Sequence, residues 1–154
     1  MNTVKQNTSS SIEHIRELLN QNRPLEALKF IEHLGQQSPV LENARGVCLM
    51  RTGKIEEAIT AIRDIVFQGH VCIPSDTPVL YKINFATAML IANHKDAAFP
   101  ILTQLNEKEH PHISKLKEAI RQWVKSLSLA EKCFYHIGLY PKKPIIIDFP
   151  PGEI

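Results

Sequence analysis

Residues 46–58, GVCLMRTGKIEEA, decide the fold of this 154-residue chain. Apolar residues recur at helical spacing within residues 47–50 and again within residues 55–65. Gly53 lies between the two runs and can adopt the left-handed conformation that ends a helix. The acidic residues that follow it suit the first turn of a new helix. The stretch therefore predicts two helices joined by a tight turn.

Gly46 lies within the first of these helices, where a glycine costs roughly 0.5–1 kcal/mol relative to alanine. We therefore expect a neighbouring helix to approach Gly46 too closely for a side chain. Ala58, a small residue on the second helix, is its expected counterpart.

The sequence contains two further copies of this pattern. Three turn residues are each followed five positions later by alanine, in the pairs Asn22 and Ala27, Gly53 and Ala58, and Asn93 and Ala98. Asparagine often adopts the left-handed conformation, so all three turn residues can have one geometry. The alanines are 31 and 40 residues apart, about 35 on average.

This period, with glycine or a substitute at the turn and alanine in the second helix, resembles that of the tetratricopeptide repeat (TPR) family. Gly46, Gly53, Ala58 and Ile62 match the family motif well, and the copies on either side are more degenerate. The resemblance covers residues 10–109 and implies an all-α fold, a TPR-like helical-hairpin array (superhelix) with a capping helix and an extended C-terminal tail. An irregular helical bundle with chance alanine spacing is the alternative.

Three helical hairpins are predicted over residues 10–109, after a disordered leader at residues 1–9. Their helices are expected at residues 10–21, 24–36, 39–52, 55–68, 77–92 and 95–107. A loop rich in glycine and proline separates the fourth and fifth helices. Ser75, Asp76 or Thr77 is expected to cap the fifth.

An amphipathic segment at residues 110–138 is predicted to form a C-terminal capping helix over the last hairpin. It is expected to break near residues 126–128, with Trp123 and Phe134 in the core beneath it. His110 is expected to end the preceding helix, whose C-terminus favours positive charge.

Residues 139–154, LYPKKPIIIDFPPGEI, form a different kind of segment. Four prolines exclude a helix, and residues 145–147 with Phe149 form an apolar run that is prone to β-structure. Such a run needs to be covered. Three interpretations remain open: the tail packs on its own helices, it docks on a second protomer in a homodimer, or it is a linear motif for a partner.

Composition and charge argue against several classes of function. A net charge of +2 without a long basic run does not favour nucleic acid as a partner. No apolar run reaches the ~18 residues that a membrane span needs, and the N-terminus lacks the apolar region of a signal peptide. The three cysteines are widely spaced and fit free thiols, which indicates a cytoplasmic protein.

The sequence contains no pattern that is typical of catalysis. Phosphate-binding loops, nucleophile elbows and zinc-protease motifs are all missing, so neither an enzyme nor a cofactor is predicted. His110 and His112 supply two metal ligands, whereas a structural zinc site uses four. No metal site is therefore predicted.

In the TPR family the first helices of the repeats line a concave groove that commonly receives a peptide or a helix. The resemblance places nine residues there: Ile12, Arg16, Leu19, Asn43, Val47, Met50, Ile83, Thr87 and Leu90. Arg16 and Asn43 are the polar anchors of an otherwise apolar groove, which suits an amphipathic helix or an extended apolar segment. Alternatively these residues form a closed core, in which Arg16 and Asn43 need internal hydrogen-bond partners.

Family members that hold the C-terminal carboxylate of chaperones use a clamp of lysine, arginine and asparagine. The corresponding positions here are Ile12, Arg16, Ala44, Leu80 and Asn84, so most of the clamp is missing. The expected function is a non-catalytic adaptor or scaffold that binds a protein or peptide partner. The alternatives are a small cytosolic secretion chaperone of the TPR type and an assembly part that self-associates through the tail.

Overall fold

The computed structural model describes residues 2–106, 108 and 110–154, with side chains described from residue 9 onward. Within these residues the chain is all-α, with eight helices and no strand. The helices are α1 (Asn2–Asn20), α2 (Pro24–Leu34), α3 (Pro39–Arg51), α4 (Ile55–Phe67), α5 (Val79–Ile91), α6 (Lys95–Gln104), α7 (Pro111–Lys125) and α8 (Leu129–His136).

The first six helices pack on one another in chain order. In addition, α3 contacts both α1 and α5, and α5 contacts α7. A single hydrophobic core runs from Ile15 in α1 to Ile145 in the C-terminal tail. The helices α1, α3 and α5 thus form a continuous row on which a further segment of the chain can lie.

The three predicted turns share one conformation. Asn22, Gly53 and Asn93 have φ angles of 57°, 79° and 67°. In each turn the next residue donates its N–H to a carbonyl five positions earlier: Arg23 to Leu18 (2.9 Å), Lys54 to Leu49 (2.9 Å) and His94 to Met89 (2.8 Å). This left-handed ending satisfies carbonyl groups that a helix C-terminus otherwise leaves unpaired.

Gly46 lies at a close contact between α3 and α4. A Cβ atom at this position would lie 2.3 Å from Cγ1 of Ile62 and 3.6 Å from the carbonyl oxygen of Ala58. Ile62 and Ala58 are both fully buried in α4. The close helix contact inferred from the sequence is therefore present, and Ile62 fills the space that the glycine leaves.

The predicted capping helix is two helices, α7 and α8. The side chain of Ser128 accepts a hydrogen bond from the Glu131 N–H, and the Glu131 carboxylate accepts one from the Ser128 N–H, so a capping box starts a new helix. Trp123 is buried, but Phe134 is 51% exposed and α8 contributes no buried residue. The prediction that Phe134 lies in the core is wrong because the break ends the apolar face of α7.

Most predicted helix ends differ by one or two residues, and the two largest differences lie at the start of α1 and the end of α6. The backbone is helical from Asn2, whereas a disordered leader was expected at residues 1–9; residue 1 lies outside the described residues. Residues 2–20 contain neither glycine nor proline, so nothing in them ends a helix. At the other end, α6 stops at Gln104, and residue 107, the predicted end, lies outside the described residues.

Two capping predictions are also corrected. His110 does not end a helix: its ring accepts a hydrogen bond from the His112 N–H (3.2 Å) at the start of α7, where Pro111 suits the first helical position. None of the three candidates caps α5, because Pro78 precedes it. The hydroxyl of Thr77 instead donates to the Val66 carbonyl (3.1 Å) and ties the loop to α4.

The contact at Gly46 can be tested by a double-mutant cycle. Gly46→Ala should lower the free energy of unfolding by about 1–2 kcal/mol, although alanine is the better helix former. Ile62→Ala makes room for the new methyl group. The double variant should therefore lose at least about 0.5 kcal/mol less free energy of unfolding than the sum of the losses in the two single variants. Urea unfolding gives the free energy of unfolding of the parent, the two single variants and the double variant. Strictly additive losses would contradict the close contact.

Candidate functional site

Residues 139–154, the C-terminal tail, return from α8 to the row formed by α1, α3 and α5. The tail is neither helix nor strand. Its four prolines lack an N–H and favour extended backbone at the residue before them, which keeps the main-chain oxygens available to other partners.

The tail is held first at Lys142 and Lys143, through their main chain. The side-chain amide of Asn93 donates to the Lys142 carbonyl (3.0 Å), and the indole N–H of Trp123 donates to the Lys143 carbonyl (2.8 Å). Lys95 lies between the two, donating to Asn93 and lying 5.2 Å from the Trp123 ring centroid. Burial lowers the pKa of the Lys95 ammonium. Two residues later Ile145 enters the core.

The tail is held a second time by two asparagines. The side-chain amide of Asn84 donates to the Glu153 carbonyl (2.8 Å), and its carbonyl accepts from the Glu153 N–H (3.1 Å). The amide of Asn84 also donates to the side-chain carbonyl of Asn43 (2.9 Å), and Asn43 reaches the Glu153 carbonyl at 3.4 Å. The N–H and the carbonyl of Glu153 are therefore both paired with the Asn84 amide. The exchange of two hydrogen bonds resembles that between the two residues of a hydrogen-bonded pair in an antiparallel sheet.

Two arginines bind the residues on either side. Arg51 donates from Nε to the Pro151 carbonyl (3.1 Å) and from its terminal nitrogen to the Gly152 carbonyl (2.8 Å). Arg16 donates to the main-chain oxygen of Ile154 at 3.0 and 3.3 Å. Four consecutive main-chain oxygens, from residue 151 to residue 154, thus accept side-chain hydrogen bonds.

We call this surface the groove: Arg16 on α1, Asn43, Val47, Met50 and Arg51 on α3, and Asn84 on α5. Gly152 has a φ of +74° and lies against its apolar floor. A Cβ atom at this position would lie 2.7 Å from Cε of Met50 and 2.8 Å from Cγ2 of Val47. The groove therefore accepts this part of the tail because it has no side chain there.

The carboxylate of Glu153 points to two histidines at the start of α7. Nδ1 of His112 lies 2.9 Å from one carboxylate oxygen, and Nε2 of His110 lies 3.4 Å from the other. A carboxylate accepts, so the ring nitrogen of His112 that faces it carries the proton. His112 is 2% exposed, and the ring of Phe149 packs edge-on against it.

Burial lowers the pKa of His112, and the hydrogen bond to Glu153 opposes this shift. Lys115 and His110 add repulsion that also favours the neutral ring. Nε2 of His112 is buried and has no hydrogen-bond partner among the described residues. The carboxylate of Glu153 is therefore the hydrogen-bond acceptor for the buried ring of His112.

The residues predicted to line the groove fall into two groups. Arg16, Asn43, Val47 and Met50 lie against the tail. The other five belong to the packed interior or its margin: Ile12, which is partly buried, and Leu19, Ile83, Thr87 and Leu90, which are buried. The hydroxyl of Thr87 donates to the Ile83 carbonyl of its own helix (2.8 Å), so it is satisfied locally. The repeat alanines Ala27, Ala58 and Ala98 are fully buried.

The sequence did not single out Arg51, Asn84 or His112 as residues that hold the tail. In the sequence Asn84 is only one position of a mostly missing carboxylate clamp, and Arg51 stands at the end of α3, where a positive charge suits the helix dipole. Arg51 and Asn84 bind residues about 70 to 100 positions away, and His112 binds Glu153, 41 positions away, so no local pattern marks them.

A separate cavity of about 630 Å³ lies between α6, α7 and α8, lined in part by Phe99, Leu102, Ile120 and Tyr135. It shares no residue with the groove. The groove itself is filled by the tail.

Comparison of the chain with protein-family models, with curated proteins and with solved structures gives no significant match. Of the helices in the part of the chain that the structure describes, none has the length and apolar content needed to cross a bilayer. The described residues also contain no group of three or more histidine, cysteine or acidic side chains placed to hold a metal ion.

Asn84 should be essential for holding the tail. Asn84→Ala removes three hydrogen bonds and leaves buried groups unpaired, so we expect the free energy of unfolding to fall by about 2–4 kcal/mol. Hydrogen exchange at the Glu153 amide should accelerate more than exchange within α4. Asn20→Ala, at an exposed asparagine of α1, is the matched control. Unchanged exchange at Glu153 would contradict the geometry.

His112 should make stability depend on pH. Because its folded-state pKa lies below the ordinary value of 6.5, the unfolded chain binds the proton more readily. Its contribution to the free energy of unfolding is complete above pH 6.5 and is lost as the pH falls, by at most about 1.4 kcal/mol per pH unit.

Urea unfolding between pH 7.5 and pH 5 tests this prediction. His112→Asn keeps an N–H near Glu153 but cannot titrate, so its loss of stability in acid should be smaller than that of the parent. His70→Asn, at an exposed histidine in the loop before α5, controls for the removal of one imidazole. Equal acid sensitivity in His112→Asn and the parent would refute the assignment.

Proposed function

We propose that this chain is a non-catalytic module for protein–protein interaction, with a TPR-like architecture, that binds an extended peptide segment in its groove. Four consecutive main-chain oxygens held by side chains of α1, α3 and α5 are the observation that carries the proposal. Pairing of main-chain groups gives affinity for any segment that can extend along the groove. Residues 151–154 are then an internal ligand that occupies the site.

The three identical turns and the α3–α4 contact at Gly46 support the TPR-like part of the proposal. So does the row of α1, α3 and α5, since in that family the first helices of the repeats carry the binding surface. The contacts to the tail are more polar than an apolar groove with two anchors would provide. An extended segment therefore suits the groove better than an amphipathic helix does.

We also propose a cytoplasmic location. Cys48, Cys72 and Cys133 are free, and two of them are exposed, which fits a reducing compartment. Cys48 is fully buried in the core, and burial raises the pKa of its thiol to about 12, which disfavours the thiolate that a nucleophile needs.

Peptide binding can be tested in the full chain by removing the internal ligand from the groove. Gly152→Val adds a side chain where Val47 and Met50 leave no room, so residues 151–154 should leave the groove while Ile145 stays in the core. A fluorescent peptide of residues 148–154, DFPPGEI, should then bind saturably, as measured by anisotropy. The parent chain should bind this peptide at least about tenfold more weakly because its own tail competes.

Two matched controls separate groove binding from general effects. Gly69 also has a positive φ, of 80°, but has open space around it, so Gly69→Val has the same backbone strain without opening the groove. In the Gly152→Val background, Arg51→Gln should weaken peptide binding and Arg63→Gln, at an exposed arginine of α4, should not. The proposal fails if neither chain binds the peptide or if Gly69→Val binds it as well as Gly152→Val does.

A further inference from the structure

The groove makes few contacts that depend on the identity of the bound side chains. Pro151 and Ile154 are held through main-chain oxygens, which every residue has. Gly152 and Glu153 differ, because the first is required by the shape of the groove and the second uses its carboxylate. These two positions are where the groove can discriminate between segments.

Gly152 is required for two independent reasons. Its φ of +74° is a conformation that residues with a side chain rarely adopt. In addition, a Cβ atom would overlap Val47, whose side chain is fully buried and cannot move aside without disturbing α3. Every residue other than glycine therefore loses contact with the floor of the groove or strains the main chain that Asn84 and Arg51 hold.

An acidic residue is required next. His112 is buried and presents one N–H to the site, and its other ring nitrogen has no partner among the described residues. Nε2 of His110 lies 3.4 Å from the second oxygen of the same carboxylate. A neutral amide has only one acceptor oxygen, whereas a carboxylate offers two acceptor oxygens, which share its negative charge, to the two rings.

Charge around the groove favours the same class of ligand. Arg16 and Arg51 lie along the main chain of the bound segment, and Lys115 lies 5.8 Å from the ring centroid of Phe149. The bound segment itself, residues 144–154, contains two acidic residues and no basic one. Complementary charge of this kind selects partners and speeds their association.

We propose that the partner of the groove is a protein with an extended acidic segment in which glycine is followed by glutamate or aspartate, and that this segment binds by displacing residues 149–154. This inference rests on the proposed function and adds its ligand class. Residues 142–145 remain anchored by Asn93, Trp123 and the core, so the displaced tail stays close and competes for the groove.

The test uses variants of the DFPPGEI peptide on the full chain that carries Gly152→Val. Glu153→Gln and Gly152→Ala in the peptide should each weaken binding about tenfold or more, the size expected when a buried polar group loses its partner or a strained conformation is imposed. Glu153→Asp should retain most of the affinity. Asp148→Asn removes the same charge at an exposed position and should change the affinity less than about twofold.

The outcomes distinguish this inference from the proposed function. If the unmodified peptide and all variants bind with equal affinity, the groove is a main-chain receptor without the proposed ligand class, and the proposed function stands alone. If Asp148→Asn weakens binding as much as Glu153→Gln, selection is by general charge and the site at His112 is refuted. If the unmodified peptide fails to bind, both proposals fail.

Discussion

Asn43 and Asn84 are 2% and 0% exposed, and their need for hydrogen-bond partners constrains the rest of the structure. Each buried amide that lacks a partner costs about 1–3 kcal/mol. The two side chains pair with each other, but the remaining groups are satisfied by the main chain of Glu153. An extended segment is the form of chain that presents an N–H and a carbonyl side by side to such an amide. The helices therefore need an extended segment in the groove, and the tail supplies it.

The tail suits this position because its sequence prevents a helix and favours extended backbone. Its prolines exclude a helix, and Gly152 permits the left-handed turn that brings the Glu153 main chain to Asn84. Between the anchor at residues 142–145 and the groove, Ile146 is 79% exposed. The tail is thus held by hydrogen bonds at two places, and the residues between them are exposed or only partly buried. Such a segment can leave the groove without leaving the molecule.

The sequence predicted what short-range patterns determine. The left-handed turns at Asn22, Gly53 and Asn93 follow from residue type and helical periodicity, and the close approach at Gly46 follows from the cost of glycine in a helix. The groove was predicted less well. Arg51 and Asn84 act on residues far away in the chain, and a satisfied polar pair across 69 residues has no periodic signature. Phe134 shows the opposite error, since an apolar residue at helical spacing is half exposed beyond a break.

An internal ligand changes how specificity arises. A free groove that binds main-chain atoms would accept many extended segments weakly, because hydrogen bonds to the backbone do not depend on side chains. A tethered tail competes at an effective concentration of the order of millimolar, so weak binders are excluded. Specificity is a difference between the affinities of two ligands, and here every partner segment is compared with the tail itself. A segment displaces the tail only if it satisfies Asn84, the floor at Val47 and the ring of His112 at least as well. The tail thus sets the affinity threshold as well as the chemistry that a partner must match.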